Sequence, residues 1–224
     1  MIKFECEGVA GFVPAIRGMR NPKNSWDKSD SIDCTKYINC QGCQLDGTDC
    51  HSQGWFMLGE NDRQLALILA NAGTDHGKFL RMINVCIDIT APFYWWKEFD
   101  TYRMGVEKNS CSTMHKLASR DLTIDDFSVD HLDGDEIIMF KNVIDILNYF
   151  RAAYKKTGEK SYWYKMIQLL PNSYNQKRTC VISYAALRNM YHARKNHKLD
   201  EWRAFCRWVE ELPHSDLITG VKNG

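Results

Sequence analysis

The sequence predicts a protein of the α/β or α+β class. Residues 79–89 alternate in polarity, and Ile83, Val85, Ile87 and Ile89 share one face, which is typical of a strand. Residues 134–156 place large apolar side chains three and four positions apart, which is the period of a helix with one buried stripe. Because segments of both kinds alternate along the chain, we expect a mixed architecture.

The first quarter of the chain has the least regular pattern. Residues 1–13 alternate loosely in polarity and predict a first strand. Residues 14–60 are rich in turn-forming side chains and show no helical period, so we expect an ordered but irregular segment. A helix is then predicted from Asn61-Asp62, which offer capping side chains, to Ala72-Gly73, because glycine suits a helix end.

The rest of the chain is predicted to be mainly helical. Pro92 suits the first turn of a helix within residues 91–104. The helix predicted at 160–170 stops before Pro171, because a proline disfavours helical backbone at the residue before it. The remaining predicted elements are, in order, a helix at 160–170, a strand at 179–183, and helices at 184–196 and 200–211.

Length and composition restrict the class of protein. The chain of 224 residues is expected to form a single domain, residues 1–224, with an irregular Cys-rich insertion at about 30–58. Its 29 basic and 28 acidic residues give a net charge of +1, which argues against a protein that coats a nucleic-acid polymer. No apolar run approaches the roughly 18 residues of a membrane span, and acidic residues near the N-terminus argue against a signal peptide. We therefore expect a cytoplasmic protein without a membrane partner.

Cysteines suggest a zinc site. The total of nine is odd and sparse, which predicts reduced thiols and not a disulfide framework. Cys34, Cys40, Cys43 and Cys50 are clustered, and the Cys40-x2-Cys43 spacing is that of a zinc knuckle. Four thiolates would close a tetrahedral structural zinc site. The alternative is four reduced thiols on an irregular loop, because the outer spacings are not those of a standard ribbon.

A polar stretch over residues 100–115 has the chemistry of a phosphate site. It combines the hydroxyls of Ser110 and Ser112 with two nearby cations, Lys97 and Arg103. Small hydroxyl donors and backbone N–H groups beside cations bind phosphate oxygens. The alternative is a capped turn whose polar groups are solvated.

The same stretch offers a second chemistry. Cys111 and His115 are four residues apart, so on a helix they could form a thiolate–imidazolium pair. Nothing in the sequence indicates a lowered thiol pKa for Cys111.

Cations are concentrated in the last third of the chain, and a solvated helix face accounts for most of them. One segment, which we expect to be a loop, differs. Tyr174, Asn175, Gln176 and Arg178 combine an aromatic ring, two amides and a guanidinium, and these groups can recognise a base or an isoalloxazine edge.

The order of these features resembles the flavin-dependent thymidylate synthases, also known as thymidylate synthase complementing proteins. The similarity runs from about residue 62 to residue 212. Four stretches carry it. The second is the one in which the family has an Arg-His-Arg triplet, then seven residues, then a Ser. The four are Ala72-Gly-Thr-Asp-His76, residues 93–117, Leu169-Leu-Pro171-Asn-Ser-Tyr174, and Leu187 to Arg194 with Asp200-Glu-Trp202.

The resemblance implies a fold, a reaction and an assembly. It implies a central twisted sheet flanked by helices, in a homotetramer with active sites between subunits. It implies FAD reduced by NADPH, and a methylene group moved from methylenetetrahydrofolate onto dUMP or a related pyrimidine deoxynucleotide. Because reduced flavin carries the electrons and the methylene in this family, no cysteine nucleophile is needed.

The resemblance also implies roles for particular residues. Ser110 and Arg194 would be catalytic, with Ser110 at the phosphate and Arg194 against the pyrimidine, where a fixed cation stabilises charge developing on the carbonyls. Lys97, Arg103 and Ser112 would complete the substrate site. Six residues would line the flavin: His76, Tyr174, Asn175, Gln176, Arg178 and His197.

Several polar positions of the family are changed in this chain. Asp100-Thr101-Tyr102 stands where the family has Arg-His-Arg, and Lys108 stands where it has a Glu two positions before the Ser. Three interpretations follow. The chain is an enzyme of this type, or a divergent homologue that binds nucleotide or flavin without thymidylate synthesis, or an interaction protein braced by zinc.

Overall fold

The computed structural model describes residues 2–33 and 56–220, and this part of the chain contains both helices and strands. The strands are β1 Lys3–Ala10, β2 Ile32–Asp33, β3 Phe56–Met57, β4 Asn84–Pro92, β5 Val106–Ser110 and β6 Asn175–Ser183. The helices are α1 Phe12–Arg20, α2 Glu60–Asn71, α3 Phe93–Phe99, α4 Thr113–Lys116, α5 Gly134–Thr157, α6 Lys160–Leu169, α7 Tyr184–Arg194, α8 Asp200–Glu210 and α9 Asp216–Thr219. The mixed fold class is confirmed.

The main sheet has four strands in the order β1-β4-β6-β5. On β4, Val85, Ile87 and Ile89 are fully buried while the residues between them are half-buried, which confirms the predicted apolar face. The start of this strand was predicted wrongly. A 3₁₀ helix occupies His76–Arg81, so the strand begins at Asn84 and not near residue 79.

Helix α1 lies in the segment that was predicted to be irregular. Its buried residues Phe12, Ala15, Ile16 and Met19 have the spacing of a helical stripe, which the surrounding Gly, Pro and Arg residues disguise. Gly11 ends the strand before it with a left-handed φ of 99°, and a Cβ there would lie 2.0 Å from the Met82 carbonyl oxygen. Only glycine fits this turn, so the predicted strand over 1–13 stops at Ala10.

Helix α2 is capped by a residue from a distant part of the sequence. Asp30 accepts hydrogen bonds from the backbone N–H groups of Asn61 and Asp62 at 2.9 and 3.1 Å. Asp62 does not cap the helix as predicted, because its carboxylate accepts hydrogen bonds from the hydroxyls of Ser29 and Ser31, each at 2.6 Å. The helix otherwise ends where the sequence predicts.

The chain divides into two compact units. The first contains Met1–Glu7, Cys86–Val181 and His197–Phe205, and the second contains Gly8–Val85, Ile182–Asn196 and Cys206–Gly224. The single domain over residues 1–224 stays a prediction. Within the second unit, β2 pairs antiparallel with β3, so both ends of the Cys-rich segment meet in a short ladder. Cys34, Cys40, Cys43 and Cys50 themselves lie outside the described residues.

Two apolar clusters form the core of the first unit. Trp95 is fully buried and lies 4.9 Å, between ring centroids, from each of Trp96, Phe99 and Trp202. The second cluster joins α5 and α6 to the segment before them through Leu117, Leu122, Phe127, Ile144, Leu147 and Met166.

The long helix and the three helices predicted after it are confirmed to within a few residues. Among the described helices none has the length and apolar character needed to cross a bilayer.

Candidate functional site

A cavity of about 620 Å³ opens beside β5 in the first unit, a volume within the usual range of ligand pockets. Its lining brings together Ser110, three cations and two carboxylates. The lining residues are Asp100, Arg103, Val106, Glu107, Lys108, Ser110 and Arg178. Counted as formal charges, the cations exceed the carboxylates by one. The cavity therefore suits an anionic ligand with a phosphate or carboxylate group.

Arg178 is the most firmly held cation of this cavity. Its Nη1 donates to Asp100 Oδ1 at 2.8 Å, and its Nε donates to Gln176 Oε1 at 2.9 Å. The guanidinium carbon lies 4.1 Å from the centroid of the Trp96 ring, in cation–π geometry. Because these contacts fix its plane, Arg178 presents an oriented guanidinium to the cavity.

Gln176 ties the segment after Ser110 to β6. Its side chain is buried, and its amide nitrogen donates to the Cys111 carbonyl at 2.8 Å and to Thr113 Oγ1 at 3.1 Å. The Cys111 backbone N–H donates to the Lys177 carbonyl at 3.0 Å. These bonds fix the end of β5, which carries Ser110.

Asp100 links two of the cations. Its Oδ1 lies 2.7 Å from Lys108 Nζ and accepts the hydrogen bond from Arg178. The resemblance places Asp100 where the family has an Arg and Lys108 where it has a Glu, and in this structure the two side chains form an ion pair. The two departures are thus complementary, and the Asp100 carboxylate offsets part of the positive charge at the cavity.

The predicted substrate residues are partly brought together. Ser110 and Arg103 line the cavity and are both exposed. Lys97 lies outside its lining and donates to Asn172 Oδ1 at 3.0 Å. Ser112 is exposed and also lies outside the lining. Arg194, the last residue of α7, belongs to the second unit.

The segment predicted as a flavin-lining loop has another structure. Asn175 begins β6, so Asn175 to Arg178 form strand and not loop. The Tyr174 ring packs against Phe93 and Phe127, with centroids 5.4 and 5.7 Å away, and burial raises the pKa of its phenol. Asn175 accepts a hydrogen bond from the Ser128 hydroxyl at 2.8 Å.

The two predicted flavin-lining histidines differ in environment. His197 accepts the Leu199 backbone N–H at Nδ1, at 3.2 Å, so its proton sits on Nε2, 3.4 Å from Glu98 Oε2. His76 begins the 3₁₀ helix of the second unit and is exposed. Within the first unit, the predicted flavin side chains are thus largely engaged by protein groups. Of the six residues predicted to line the flavin, the lining of the Ser110 cavity includes Arg178.

The described residues show no metal site, and two of the described thiols are unreactive at neutral pH. Cys111 precedes α4, so the helical spacing that would pair it with His115 does not apply, and the His115 side chain lies outside the described part. Burial raises the pKa of Cys180 and of Cys206 to about 11, which leaves both protonated and unreactive at neutral pH. The described residues contain no group of three His, Cys, Asp or Glu side chains placed to hold a metal.

Sequence reasoning missed the partners that complete the cavity. The prediction for Arg178 concerns the flavin and does not include its place in the lining of the Ser110 cavity. Two-residue spacing along β6 puts Arg178 on the same face as Gln176 and Cys180. The pairing of Asp100 with Lys108 could have been found, because the two charge reversals occur together in the sequence. No local sequence pattern indicates that the Trp96 ring packs against the Arg178 guanidinium.

Comparison with known proteins supports the fold. No protein-family model matches the sequence, and no curated protein matches it. Thymidylate synthase X (ThyX) from Helicobacter pylori, crystallised with FAD and dUMP, is 16% identical over 98% of both chains, with a TM-score of 0.68. A second structure of that flavin-dependent enzyme with FAD and dUMP gives a TM-score of 0.69, at 16% identity over 97% of this chain and 98% of that one.

A third structure is similar over a slightly smaller share of the chain. The UMP/dUMP methylase PolB from Streptomyces cacaoi, bound with 5-Br UMP, is 13% identical over 94% of this chain and 88% of that one, with a TM-score of 0.59. At these identities the likeness concerns the fold. The chain has the fold of the flavin-dependent thymidylate synthases, as the sequence resemblance implies.

Proposed function

We propose that this chain is a flavin-dependent thymidylate synthase-like enzyme. It would transfer a one-carbon unit reductively from methylenetetrahydrofolate to dUMP or a related pyrimidine deoxynucleotide, with FAD as cofactor and NADPH as reductant. The observation that carries the proposal is the Ser110 cavity, where Arg103, Lys108 and Arg178 surround a hydroxyl. It occurs in a chain with the fold of enzymes crystallised with FAD and dUMP.

The residues that line the cavity would contribute different contacts to a bound nucleotide. The Ser110 hydroxyl donates a hydrogen bond to a phosphate oxygen, and Arg103 and Lys108 supply positive charge. Arg178 adds a guanidinium whose plane is fixed by Trp96 and Gln176. Because this donor is oriented before the ligand arrives, little conformational entropy is lost on binding.

The proposal assigns the remaining chemistry to FAD and Arg194. FAD supplies, when bound, the electron pair that reduces the one-carbon unit to a methyl group. Arg194 is placed by the resemblance against the pyrimidine, where its cation would stabilise negative charge on the ring carbonyls. Lys97, Ser112, His76 and His197 keep their predicted roles as hypotheses.

The assembly and the location are part of the same proposal. Ser110 and the three residues before it on β5 are exposed, which leaves the mouth of the cavity open to a second chain. This supports the homotetramer with active sites between subunits that the resemblance implies. A cytoplasmic enzyme would have dUMP and NADPH at hand.

A second candidate function is nucleotide or flavin binding without thymidylate synthesis. The observation that favours it is the Asp100 carboxylate, which pairs with Lys108 and Arg178 and so offsets charge that a phosphate would otherwise meet. The third interpretation, an interaction protein braced by zinc at the four clustered cysteines, stays a prediction to be tested by zinc analysis.

The first experiment is an absorbance spectrum of the purified protein, before and after addition of FAD, with dUMP titrated in. Flavin bands that saturate with FAD and are perturbed by dUMP would support the enzyme and justify a turnover assay with NADPH. Flavin binding without turnover would favour the second candidate. A protein that FAD does not saturate contradicts the proposal.

Substitutions at Ser110 and Arg194 test the site assignment. Ser110→Ala should weaken dUMP binding about tenfold, because one charge-assisted hydrogen bond to phosphate is lost. Arg194→Ala should weaken it by a similar factor. Ser161→Ala, at an exposed position of α6, is the matched control and should bind dUMP like the parent. If both site variants bind normally in a calorimetric titration, the assignment is wrong.

A further inference from the structure

A second cavity, of about 590 Å³, lies wholly within the second unit. It is lined by the first turn of α2 and by the segment from the end of α8 to the start of α9. Three carboxylates, those of Glu60, Glu210 and Asp216, face one guanidinium, that of Arg63. The other ionisable group in the lining is His214, and burial lowers the pKa of its imidazole, which is therefore neutral at pH 7. The lining carries an excess of two negative charges.

One oxygen of the Asp216 carboxylate has no hydrogen-bond donor among the described residues. Its side chain is only 5% exposed, and its Oδ2 accepts a hydrogen bond from Arg63 Nη1. Its Oδ1 is buried and accepts no hydrogen bond from any of the described residues. A buried carboxylate oxygen without a donor costs free energy, so a ligand that donates to it would be stabilised.

The groups around Asp216 are fixed, which makes the cavity a built site. His214 Nε2 donates to the Phe56 carbonyl at 3.1 Å, which leaves Nδ1 as an acceptor for Arg63 Nη2 at 3.3 Å. Arg63 is therefore held by Asp216 and His214 together. It cannot turn to satisfy Oδ1 without breaking one of these contacts.

The other two carboxylates are not neutralised by cations within the described residues. Glu60 accepts a hydrogen bond from the Gln64 amide at 2.9 Å, and Glu210 accepts one from the Tyr191 hydroxyl at 2.7 Å. Both partners are neutral donors. The site keeps its negative charge, and a cation entering it would meet carboxylates from two sides.

We propose that this cavity binds a small organic cation, a primary amine or a guanidine, whose head group donates to Asp216 and is flanked by Glu60 and Glu210. An anion is excluded by the net negative charge of the lining. A metal ion is disfavoured, because the described residues include no group of three ligating side chains at metal-binding geometry. The proposal goes beyond the nucleotide chemistry of the first unit and does not depend on it.

Calorimetric titration of the full chain tests the proposal with three probes that share a four-carbon chain. Agmatine carries a guanidinium and an ammonium, putrescine carries two ammonium groups, and 1,4-butanediol is the neutral analogue. Both cations should bind at one site per chain, more weakly as the salt concentration rises, and the diol should give no binding heat. Equal binding of the diol, or no binding of either cation at millimolar concentrations, overturns the proposal.

Glutamine variants localise the binding. Glu60→Gln and Glu210→Gln should each raise the dissociation constant of agmatine about tenfold, because each removes one charge from the site. Glu211→Gln removes a neighbouring exposed charge that does not line the cavity and should leave binding unchanged. These surface positions avoid the risk that an Asp216 variant unfolds. Unchanged binding in both site variants, or displacement of agmatine by an equimolar amount of Mg²⁺, would contradict the assignment.

Discussion

The Asp100 carboxylate controls how much positive charge the Ser110 cavity offers. It contacts both Lys108 and Arg178, so two of the three cations are partly occupied before any ligand arrives. A phosphate must compete with this carboxylate for the same donors. If the cavity holds a phosphate as proposed, the Asp100 carboxylate would lower the affinity for that phosphate without contacting it.

Asp100→Asn should strengthen the binding of dUMP about two- to fivefold, since partly exposed ion pairs of this kind contribute about 0.2–1 kcal/mol. The matched control is Glu107→Gln, which removes one negative charge from the same cavity but has no ion pair with a described cation. Its effect should be smaller, and isothermal titration at fixed salt compares the two. Weaker binding by Asp100→Asn would show that this carboxylate orients Arg178 more than it competes with phosphate.

Asp62 connects α2 to α1 and to the residues after it. The side chain is fully buried and accepts hydrogen bonds from Arg20, Ser29 and Ser31. Burial by itself would raise the pKa of Asp62, but the hydrogen bonds from the two serines and from Arg20 outweigh it and lower the pKa. The carboxylate therefore stabilises the fold above its unfolded pKa of about 4, and this contribution is lost as the pH falls through the lower folded value.

Asp62→Asn should lower the free energy of unfolding at pH 7 by about 3 kcal/mol, because it leaves the buried Arg20 without its charged partner. It should also flatten the loss of stability on acidification. Urea midpoints measured between about pH 2 and pH 7 give both quantities. Asp27→Asn, at an exposed position in the same unit, should reproduce the parent curve. An Asp62→Asn curve that falls as steeply as the parent would contradict this account.

Helix α5 packs one face against α6. Two adjacent apolar residues on α5 therefore differ in burial, and comparing them measures what burial contributes to stability. Leu147 is fully buried in the α5–α6 cluster, whereas Ile146 is 48% exposed. Leu147→Ala should lower the free energy of unfolding by about 2–5 kcal/mol, through lost burial and the cavity left behind. Ile146→Ala should cost less than about 1 kcal/mol. Equal losses in chemical denaturation would show that Ile146 is covered in solution.

Ligand binding gives a prediction for the whole molecule. If the folded chain binds FAD and dUMP and the unfolded chain does not, each ligand at a hundred times its dissociation constant should add about 2.7 kcal/mol to the free energy of unfolding. Thermal or urea unfolding with and without the ligands measures the gain. Ser110→Ala should reduce the gain from dUMP and leave that from FAD. No gain with either ligand would count against the proposed function.

Local sequence determined the elements whose period is unbroken. The stripe of α5 and the alternation of β4 are set by short-range geometry, because a helix or strand must present its apolar side chains to one side. The resemblance identified the fold over most of the chain, and the hydroxyls and cations near Ser110 indicated the phosphate chemistry. Helix α1 was missed because Pro14 and Gly18, which lie between the buried positions of its stripe, are typical of turns.

Tertiary structure decided which charges meet when the two residues are far apart in the sequence. Arg178 and Asp100 are 78 residues apart in sequence, and Arg20 and Asp62 are 42 apart, yet each pair is in hydrogen-bond contact. The same holds for Asp216 and Arg63, which are 153 residues apart in the amine site that we propose. Periodicity reports which side of an element is buried, but it carries no information about the distant residue packed against that side. The partners of Ser110, Asp62 and Asp216 therefore emerge only once the chain is folded.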